Sequence, residues 1–198
     1  MSIRARLTPE ESRAAALAAA RELLLESGPT AVTLKAVAGR VGRTHQNLLH
    51  HFGSAAGLQT ALAEYLAERA CARIGRAMQE RRAGLASARD IVDLTFDAFG
   101  REGGGGALAS WIMMTGNEAA FEPVVEAIRA LVEGVEERAE LEPGVVEDTV
   151  LQLVLMALGD AMIGHALAPS LGRPRLRGRD LAERMVEAVF VDGAEEEE

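Results

Sequence analysis

The sequence TLKAVAGRVGRTHQNLLHHF occupies residues 33–52 and has the pattern of two short helices joined by a tight turn. Apolar side chains at its start repeat with the i, i+3, i+4, i+7 spacing of one helical face: Leu34, Val37, Ala38 and Val41. Gly42 follows, and glycine can leave a helix in the left-handed conformation at little steric cost. Thr44 then has the side chain of a helix N-cap. The stretch therefore predicts a helix-turn-helix unit.

The second helix of this unit begins with three hydrogen-bonding side chains, His45, Gln46 and Asn47. Leu48 and Phe52 give the same helix an apolar side that can pack against a core. A short helix that buries one side and presents polar groups on the other is shaped for the major groove of DNA. The stretch therefore favours a DNA-reading function.

The charge of the chain is divided unevenly between two parts. The 198 residues carry a net charge of -9, which is unusual for a protein that binds nucleic acid. Residues 1–57, however, hold seven Lys or Arg and four Glu, so this part is basic and the remainder is strongly acidic. A basic head on an acidic body keeps the attraction to DNA local to the head.

The remaining sequence is predicted to be helical, so we expect an all-α fold. Thr8-Pro9-Glu10-Glu11 is a capping-box pattern that starts a first helix, and Ser54 is suited to cap a long fourth one. The glycine run at 103–106 is expected to form a loop, because glycine is costly inside a helix. Apolar spacing and glycine or proline breaks predict helices at residues 9–25, 55–83, 88–101, 107–116, 121–139, 145–168 and 179–191.

Several features indicate a cytoplasmic protein. The single cysteine, Cys71, excludes an intrachain disulfide framework and fits a reducing compartment. The N-terminus has no apolar segment of signal-peptide length. The most apolar run, residues 150–168, is interrupted by Gln152, Asp160 and His165, so we interpret it as a helix buried by protein partners and expect no membrane contact.

The motifs of common enzymes and metal sites are not apparent. His45, His50 and His51 lack the i, i+4 spacing of a helical metal pair. The glycine run neither follows a strand nor leads into Lys-Ser/Thr, as a phosphate-binding loop would. We therefore expect no cofactor, no metal and no catalytic residue.

Residues 8–58 resemble the DNA-binding domain of the tetracycline-repressor (TetR) family of bacterial regulators. The similarity is carried by AALAAARELLLESGPTAVTLKAVAGRVGRTHQNLLHHFGSAAGL, including the Glu-Ser-Gly end of the first helix and the His-His-Phe end of the third. The resemblance implies an N-terminal three-helix DNA-binding domain at residues 1–57. A long helix would join it to a helical ligand-binding and dimerisation domain at residues 58–194, followed by an acidic tail at 195–198.

The resemblance also implies which residues contact DNA. The recognition helix would read base edges with side chains from its start, and Gln46 and Asn47 have the amides that pair with adenine. The flexible lead-in holds Arg4 and Arg6, which could follow phosphates or enter a minor groove. The expected DNA-binding residues are Thr33, Lys35, Arg43, Thr44, His45, Gln46, Asn47 and His51.

Three positions depart from the family pattern. Leu49 stands where the family usually has a tyrosine that touches the DNA backbone. Ala55 stands where a lysine usually contacts phosphate, and Arg43 replaces a small apolar turn residue. Loss of a cationic phosphate contact lowers affinity and flattens its salt dependence, and Arg43 could restore one such contact.

The body is expected to hold a ligand and a second copy of the chain. Methionines and aromatic residues could line an apolar cavity, with a few polar groups to orient the ligand; ordinary core packing is the alternative for each. The candidate pocket residues are Phe96, Phe99, Trp111, Met114, Asn117, Phe121, Met156, Asp160 and His165.

A stripe of small residues on the long apolar helix predicts close approach of a partner helix. Together with one face of the last helix it would form an intermolecular four-helix bundle. The candidate dimer residues are Ala157, Ala161, Gly164 and Ala168, with Leu181, Met185, Ala188 and Val189.

These observations favour a homodimeric, ligand-responsive regulator that binds a palindromic DNA operator, most simply as a repressor. The small apolar ligand would shift the two heads relative to each other. The alternative, motivated by Leu49 and Ala55, is a dimeric small-molecule- or protein-binding module of the same fold with weak or lost DNA binding.

Overall fold

The structure is a computed structural model that describes residues 8–136 and 144–191, with the side chains of residues 190 and 191 excepted. Arg4, Arg6 and the acidic tail at 195–198 lie outside the described residues. Within the described ranges the regular structure is entirely helical. The predicted all-α fold is therefore confirmed.

The head begins with three helices: α1 (Pro9–Ser27), α2 (Leu34–Val41) and α3 (His45–Phe52). The capping box at the start of α1 forms as predicted, with the Glu11 amide donating to Thr8 Oγ1 at 3.1 Å and the Thr8 amide donating to the Glu11 carboxylate at 2.7 Å. Gly42 ends α2 at φ 65°, the left-handed conformation that favours glycine. This turn leads directly into α3, so the helix-turn-helix unit is present.

The long helix α4 (Ala55–Arg82) runs from the head into the body without a break. Ser54 caps it, accepting a hydrogen bond from the Gly57 amide at 3.0 Å. A Cβ atom at Gly57 would overlap the carbonyl oxygen of Phe52, so glycine permits the close approach of α3 to α4. Leu58 and Leu62 of α4 are fully buried in the head core.

The body consists of the remaining helices: α5 (Ala88–Phe99), α6 (Gly105–Thr115), α7 (Glu122–Glu136), α8 (Val145–Gly159), α9 (His165–Ser170) and α10 (Arg177–Val191). Short 3-10 turns lie at Pro29–Ala31 and Glu118–Phe121. A widened π turn at Asp160–Gly164 joins α8 to α9. The residues predicted as one helix at 145–168 are therefore helical throughout, with this π turn between α8 and α9.

The expected loop at residues 103–106 ends two residues earlier than predicted. Gly105 and Gly106 are the first residues of α6, and Gly104 adopts φ 84° just before it. A Cβ atom at Gly106 would lie 2.8 Å from the Phe99 carbonyl oxygen and 3.0 Å from the Ala161 Cβ atom. The glycines therefore permit close helix packing, which outweighs their entropic cost in the first turn.

Helices α5 and α10 are joined by ion pairs as well as by an apolar core. The Arg179 guanidinium lies 2.7 Å from an Asp93 carboxylate oxygen and 2.6 Å from one of Asp97. Arg89 contacts Asp93, and also Asp180 and Glu183. The hydrogen bonds that Arg89 donates, first to Asp93 and then to Glu183 and Asp180, raise the pKa of its guanidinium. These residues thus hold the body together.

The path Val145–Ser170 is long and apolar enough to cross a membrane by length and composition alone. Its inner side packs on the body through Leu153 and Ala157. Its outer side carries large apolar side chains that this single chain leaves exposed. The sequence predicted that this helix is buried by protein. Within a single chain, this is the case for its inner side only.

Candidate DNA-reading surface and body cavity

The start of α3 presents polar side chains to solvent. Thr44 caps the helix by accepting a hydrogen bond from the Asn47 amide at 3.2 Å. Leu48 and Phe52 are buried on the inner side, while His45 and Gln46 are exposed on the outer side. Because the inner side chains fix the orientation of this short helix, its outer side offers a rigid polar surface.

Asn47 differs from its neighbours. Its side chain is half-buried, and its Oδ1 atom is buried without a hydrogen-bond partner among the described residues. A bidentate contact with adenine needs both the amide nitrogen and the oxygen to face the base. Asn47 therefore does not present both its amide nitrogen and its amide oxygen to a base in this structure. The side chain of Gln46 is exposed, so burial does not prevent it from presenting both atoms.

His50 is a candidate that the sequence analysis did not include. It is exposed and lies four residues after Gln46, so the two share one face of α3. The i, i+4 spacing between Gln46 and His50 in the sequence could have identified it. His51, which was expected to touch the DNA backbone, is half-buried, and its ring centroid lies 6.3 Å from that of Phe52.

The head also carries two exposed cations outside α3. Lys35, on α2, and Arg43, in the turn, are both exposed, and no ion pair involves either within residues 8–136 and 144–191. Thr33 caps α2 by accepting a hydrogen bond from the Ala36 amide at 3.1 Å. Exposed cations and helix N-termini are the groups that contact phosphates.

Arg40 has a different role, although it lies on the same helix as Lys35. Its guanidinium is 2.6 Å from a Glu26 carboxylate oxygen and 3.5 Å from one of Glu22. The hydrogen bond from Arg40 lowers the pKa of the Glu26 carboxyl. Arg40 therefore ties α2 to α1.

Two of the three departures from the family pattern, Leu49 and Ala55, have distinct environments. Leu49 is half-buried and packs against the head core. Ala55 is exposed at the first residue of α4 and offers no hydrogen-bonding side chain. Neither position supplies a phosphate contact.

The body contains a cavity of about 150 Å³ between α4, α5, α6, α7, α8 and α10 that is partly open to solvent. Its lining is apolar except for Cys71, Thr95 and Thr149, and it includes no charged residue. The two threonine hydroxyls donate to carbonyl oxygens of their own helices, at 2.9 Å and 2.6 Å. Burial raises the pKa of the Cys71 thiol, so this side chain is neutral at pH 7.

Two of the nine candidate pocket residues, Phe99 and Phe121, line this cavity. Phe96 is buried in the body core and Met156 packs against that core, while Trp111 packs against the head core. Met114 and His165 are exposed. The prediction that these five residues line the cavity is therefore corrected.

The two other polar candidates have partners elsewhere. Asp160 pairs with Arg175 at 2.6 Å beside the π turn. Asn117 donates to Gln59 Oε1 at 2.7 Å and to the Ala56 carbonyl oxygen at 3.2 Å. Asn117 thus ties the end of α6 to the start of α4 instead of facing a ligand.

The cavity is in direct contact with the head. Leu108 and Ile112 of α6 line the cavity and also belong to the head core. The turn before α6 contacts α1, where Arg21 donates to the Glu102 carbonyl oxygen at 2.8 Å. A ligand that displaces α6 would therefore disturb the packing beneath the head.

The candidate dimer residues are divided between the interior and the surface. Ala157 is 1% exposed in the body core, and Gly164 is buried beside Asp160, so neither offers a surface to a partner. Ala161, Ala168 and Met185 are half-exposed, and Val189 lines the cavity. Leu181 and Ala188 are exposed.

A different face of α8 and α9 is the more apolar surface. We call it the outer leucine face, and its members are exposed by 47–59%: Leu151, Leu155, Met162, Ile163 and Leu167. Their spacing places them along one side of the helical path. Because the helix is apolar on both sides, its sequence does not distinguish this face from the small-residue stripe that was predicted to form the dimer contact.

Comparison with known proteins agrees with these features. Residues 16–62, from α1 into α4, match the family described as bacterial regulatory proteins, tetR family. A protein described as a TetR-family transcriptional regulator from Rhodococcus sp. superposes with a TM-score of 0.59 at 19% identity, over 90% of this chain and 98% of that one. A second such regulator, from Mesorhizobium loti MAFF303099, gives 0.60 at 14% identity, over 94% and 98%.

A third similar structure is the multidrug binding protein EbrR complexed with ethidium. Its TM-score is 0.57 at 17% identity, over 88% of this chain and 98% of that one. At these identities the likeness establishes the fold. No curated protein matches the chain by sequence.

Proposed function

We propose that this chain, a TetR-family regulator by its DNA-binding head and its fold, is a cytoplasmic homodimer that binds a palindromic operator and releases it when a small apolar ligand binds. The observation that carries the DNA-binding part is the exposed polar side of α3, together with the exposed cations Lys35 and Arg43, which form no ion pair among the described residues. The polar side would read base edges, and the cations would hold phosphates.

The outer leucine face supports the proposal that the chain forms a homodimer. A contiguous apolar surface of this kind on one chain marks an interaction site. A second copy would cover it with its own equivalent face, because a two-fold interface pairs the same patch on both subunits. The dimer contact we propose is therefore this face with Leu181 and Ala188, and without the buried Ala157 and Gly164.

The cavity in the body supports the proposal that the chain binds a small apolar ligand. An apolar cavity of about 150 Å³ in another protein holds benzene, so this one has room for a small organic molecule. A protein of similar fold, EbrR, was solved with ethidium. Since α6 contacts both the cavity and the head core, ligand binding would favour a head spacing that does not fit DNA.

The second candidate is a dimeric binding module whose head has lost strong DNA affinity. Leu49 and Ala55 favour it, because neither supplies a phosphate contact. In that case the cavity and the outer leucine face would carry the whole function.

Selection from a random pool of DNA duplexes, at low and at moderate salt, separates the two candidates. The regulator enriches a palindrome, with a weaker yield at the higher salt because phosphate contacts release counterions. Absence of enrichment at low salt would exclude the regulator and leave the binding module. A variant with Gln46, His50 and Lys35 changed to alanine serves as the control for non-specific retention.

A further inference from the structure

The surface between α1 and α4 contains a groove that the proposed function does not use. It has a volume of about 240 Å³ and is open to solvent. Leu17 and Ala61 are buried and form its apolar part. The carboxylates of Glu10, Glu64 and Glu68 also line it. The groove is therefore acidic, whereas residues 1–57 carry a net positive charge.

Arg13 is the one cation among the described residues that line the groove. Its guanidinium lies 3.4 Å from a Glu64 carboxylate oxygen, which is longer than the distance of about 2.7–2.9 Å typical of a charge-assisted hydrogen bond. Neither Glu10 nor Glu68 forms an ion pair within residues 8–136 and 144–191. The lining therefore has an excess of two negative charges.

Tyr65 adds an aromatic side chain to the groove. The Arg69 guanidinium lies 5.4 Å from the centre of the Tyr65 ring, although Arg69 itself does not line the groove. Guanidinium groups stack on aromatic rings and pair with carboxylates through two parallel hydrogen bonds. A groove with carboxylates, an aromatic ring and an apolar part therefore suits arginine side chains on a chain segment that also carries apolar residues.

The segment directly before α1 has this composition. Residues 1–7, MSIRARL, include Arg4 and Arg6, three large apolar side chains and no acidic residue. Arg6 precedes the helix cap Thr8 by two residues, and Glu10 follows that cap by two. An extended chain from Thr8 to Arg4 reaches up to about 14 Å. The part of α1 that lines the groove is about 10 Å long, so both arginines are within reach of it.

We propose that residues 1–7 dock in the groove of their own chain through Arg4 and Arg6 when the protein is free of DNA. The two guanidinium groups balance the two excess negative charges of the lining. Because the same arginines are expected to contact DNA, the groove and a duplex compete for them. The competition rests on the proposed function, whereas the docking itself does not.

The docking is tested without DNA. Tyr65 is the one tyrosine and Cys71 the one cysteine of the chain. Ring-labelled tyrosine therefore gives NMR signals from the groove alone, and a nitroxide attached at position 2 of a Ser2→Cys/Cys71→Ala protein marks the segment. We expect this nitroxide to broaden the Tyr65 signals, and Arg4→Gln/Arg6→Gln to restore most of their intensity.

Arg73→Gln/Arg76→Gln is the matched control, because it removes two exposed arginines of α4 that do not line the groove. It keeps the broadening. Equal Tyr65 intensity with Arg4 and Arg6 present or replaced would overturn the proposal. So would broadening only between differently labelled copies in a mixture, which would place the segment in the groove of a second copy. Shifts of the Tyr65 signals by 1,4-diaminobutane, without broadening by the nitroxide, would assign the groove to a free organic cation instead.

Duplex titrations test the competition. Glu68→Gln strengthens binding to the enriched operator by about 1.5- to 5-fold, the value of one exposed ion pair, because it releases the segment. The gain disappears when Arg4→Gln/Arg6→Gln is added, and Glu80→Gln, on α4 outside the groove, gives none. An equal gain with and without Arg4 and Arg6 would overturn the competition. Absence of any enriched duplex would instead contradict the proposed function, and the NMR result then decides the docking by itself.

Discussion

Gln46 is the residue on α3 best suited to distinguish one base from another. Its side chain is exposed, whereas the Oδ1 atom of its neighbour Asn47 is buried. A bidentate amide–adenine pair contributes about 1–3 kcal/mol of discrimination, so Gln46→Ala weakens operator binding by roughly 5- to 150-fold and relaxes specificity at one base pair.

Asn47→Ala is the matched comparison for Gln46→Ala. We expect it to cost less operator affinity, because its amide does not present both atoms to a base. Fluorescence anisotropy with the operator and with single-base variants measures both effects. A larger loss of specificity from Asn47→Ala than from Gln46→Ala would reverse this assignment.

We propose that Arg43 compensates for the absence of a cation at Ala55. It is exposed in the turn before α3 and forms no ion pair with the described residues. Arg43→Ala therefore weakens binding to all duplexes about equally and lowers the slope of log affinity against log salt by about one.

Arg73→Ala provides the control for this prediction, because Arg73 is equally exposed but lies in the body half of α4. Titrations at four salt concentrations give the slope for each variant. Unchanged operator affinity in Arg43→Ala shows that Arg43 does not contact phosphate.

Among the helices, α6 contacts both the cavity and the head core, so we expect it to couple ligand binding to DNA binding. Arg21 on α1 donates to the Glu102 carbonyl oxygen in the turn before α6. Since one hydrogen bond contributes about 0.5–1.5 kcal/mol, Arg21→Ala reduces the ligand-induced loss of DNA affinity by about 2- to 10-fold. The ligand affinity measured without DNA changes little.

Arg101→Ala is the control, because Arg101 is exposed in the same turn beside Glu102. The comparison uses operator titrations with and without a saturating ligand. If Arg21→Ala retains the full ligand response, coupling does not pass through this hydrogen bond.

The helices themselves could be predicted from local chemistry, because their ends carry their own signals. Thr8, Thr44 and Ser54 cap α1, α3 and α4 as expected, and Gly42 ends α2. The start of α6 could not be predicted, since the reason for glycine at position 106 is its close contact with Phe99 of α5 and Ala161 of the π turn. Such long-range contacts leave no local pattern.

Functional faces were harder to predict than helices. Helix α8 is apolar on both sides, so spacing alone did not show whether the alanines or the leucines face inward. The structure buries Ala157 and exposes Leu155. The cavity lining likewise depends on how six helices pack, which explains why Phe99 and Phe121 were identified but the valines and leucines were not.

In the proposed dimer, the outer leucine face forms the contact between the two copies of the chain. Leu155 is 59% exposed on this face, and Leu155→Glu would place a charge in the proposed interface. We expect this variant to sediment as a single chain and to lose most of its operator affinity, because one head alone contacts only half of the palindrome.

Leu85→Glu is the control, because Leu85 is 79% exposed in the connection between α4 and α5, away from the outer leucine face. It keeps both the dimer and the operator affinity. A Leu155→Glu protein that sediments like the wild type would place the dimer contact elsewhere.

We propose that two heads of this kind read one palindrome together. Hydroxyl-radical footprinting of the protein on its enriched duplex tests this most directly. We expect two symmetric protected regions centred about one DNA turn apart, near 34–36 Å or slightly more, and both fade when the ligand is added. A single protected region, or protection that does not depend on the duplex sequence, would contradict it.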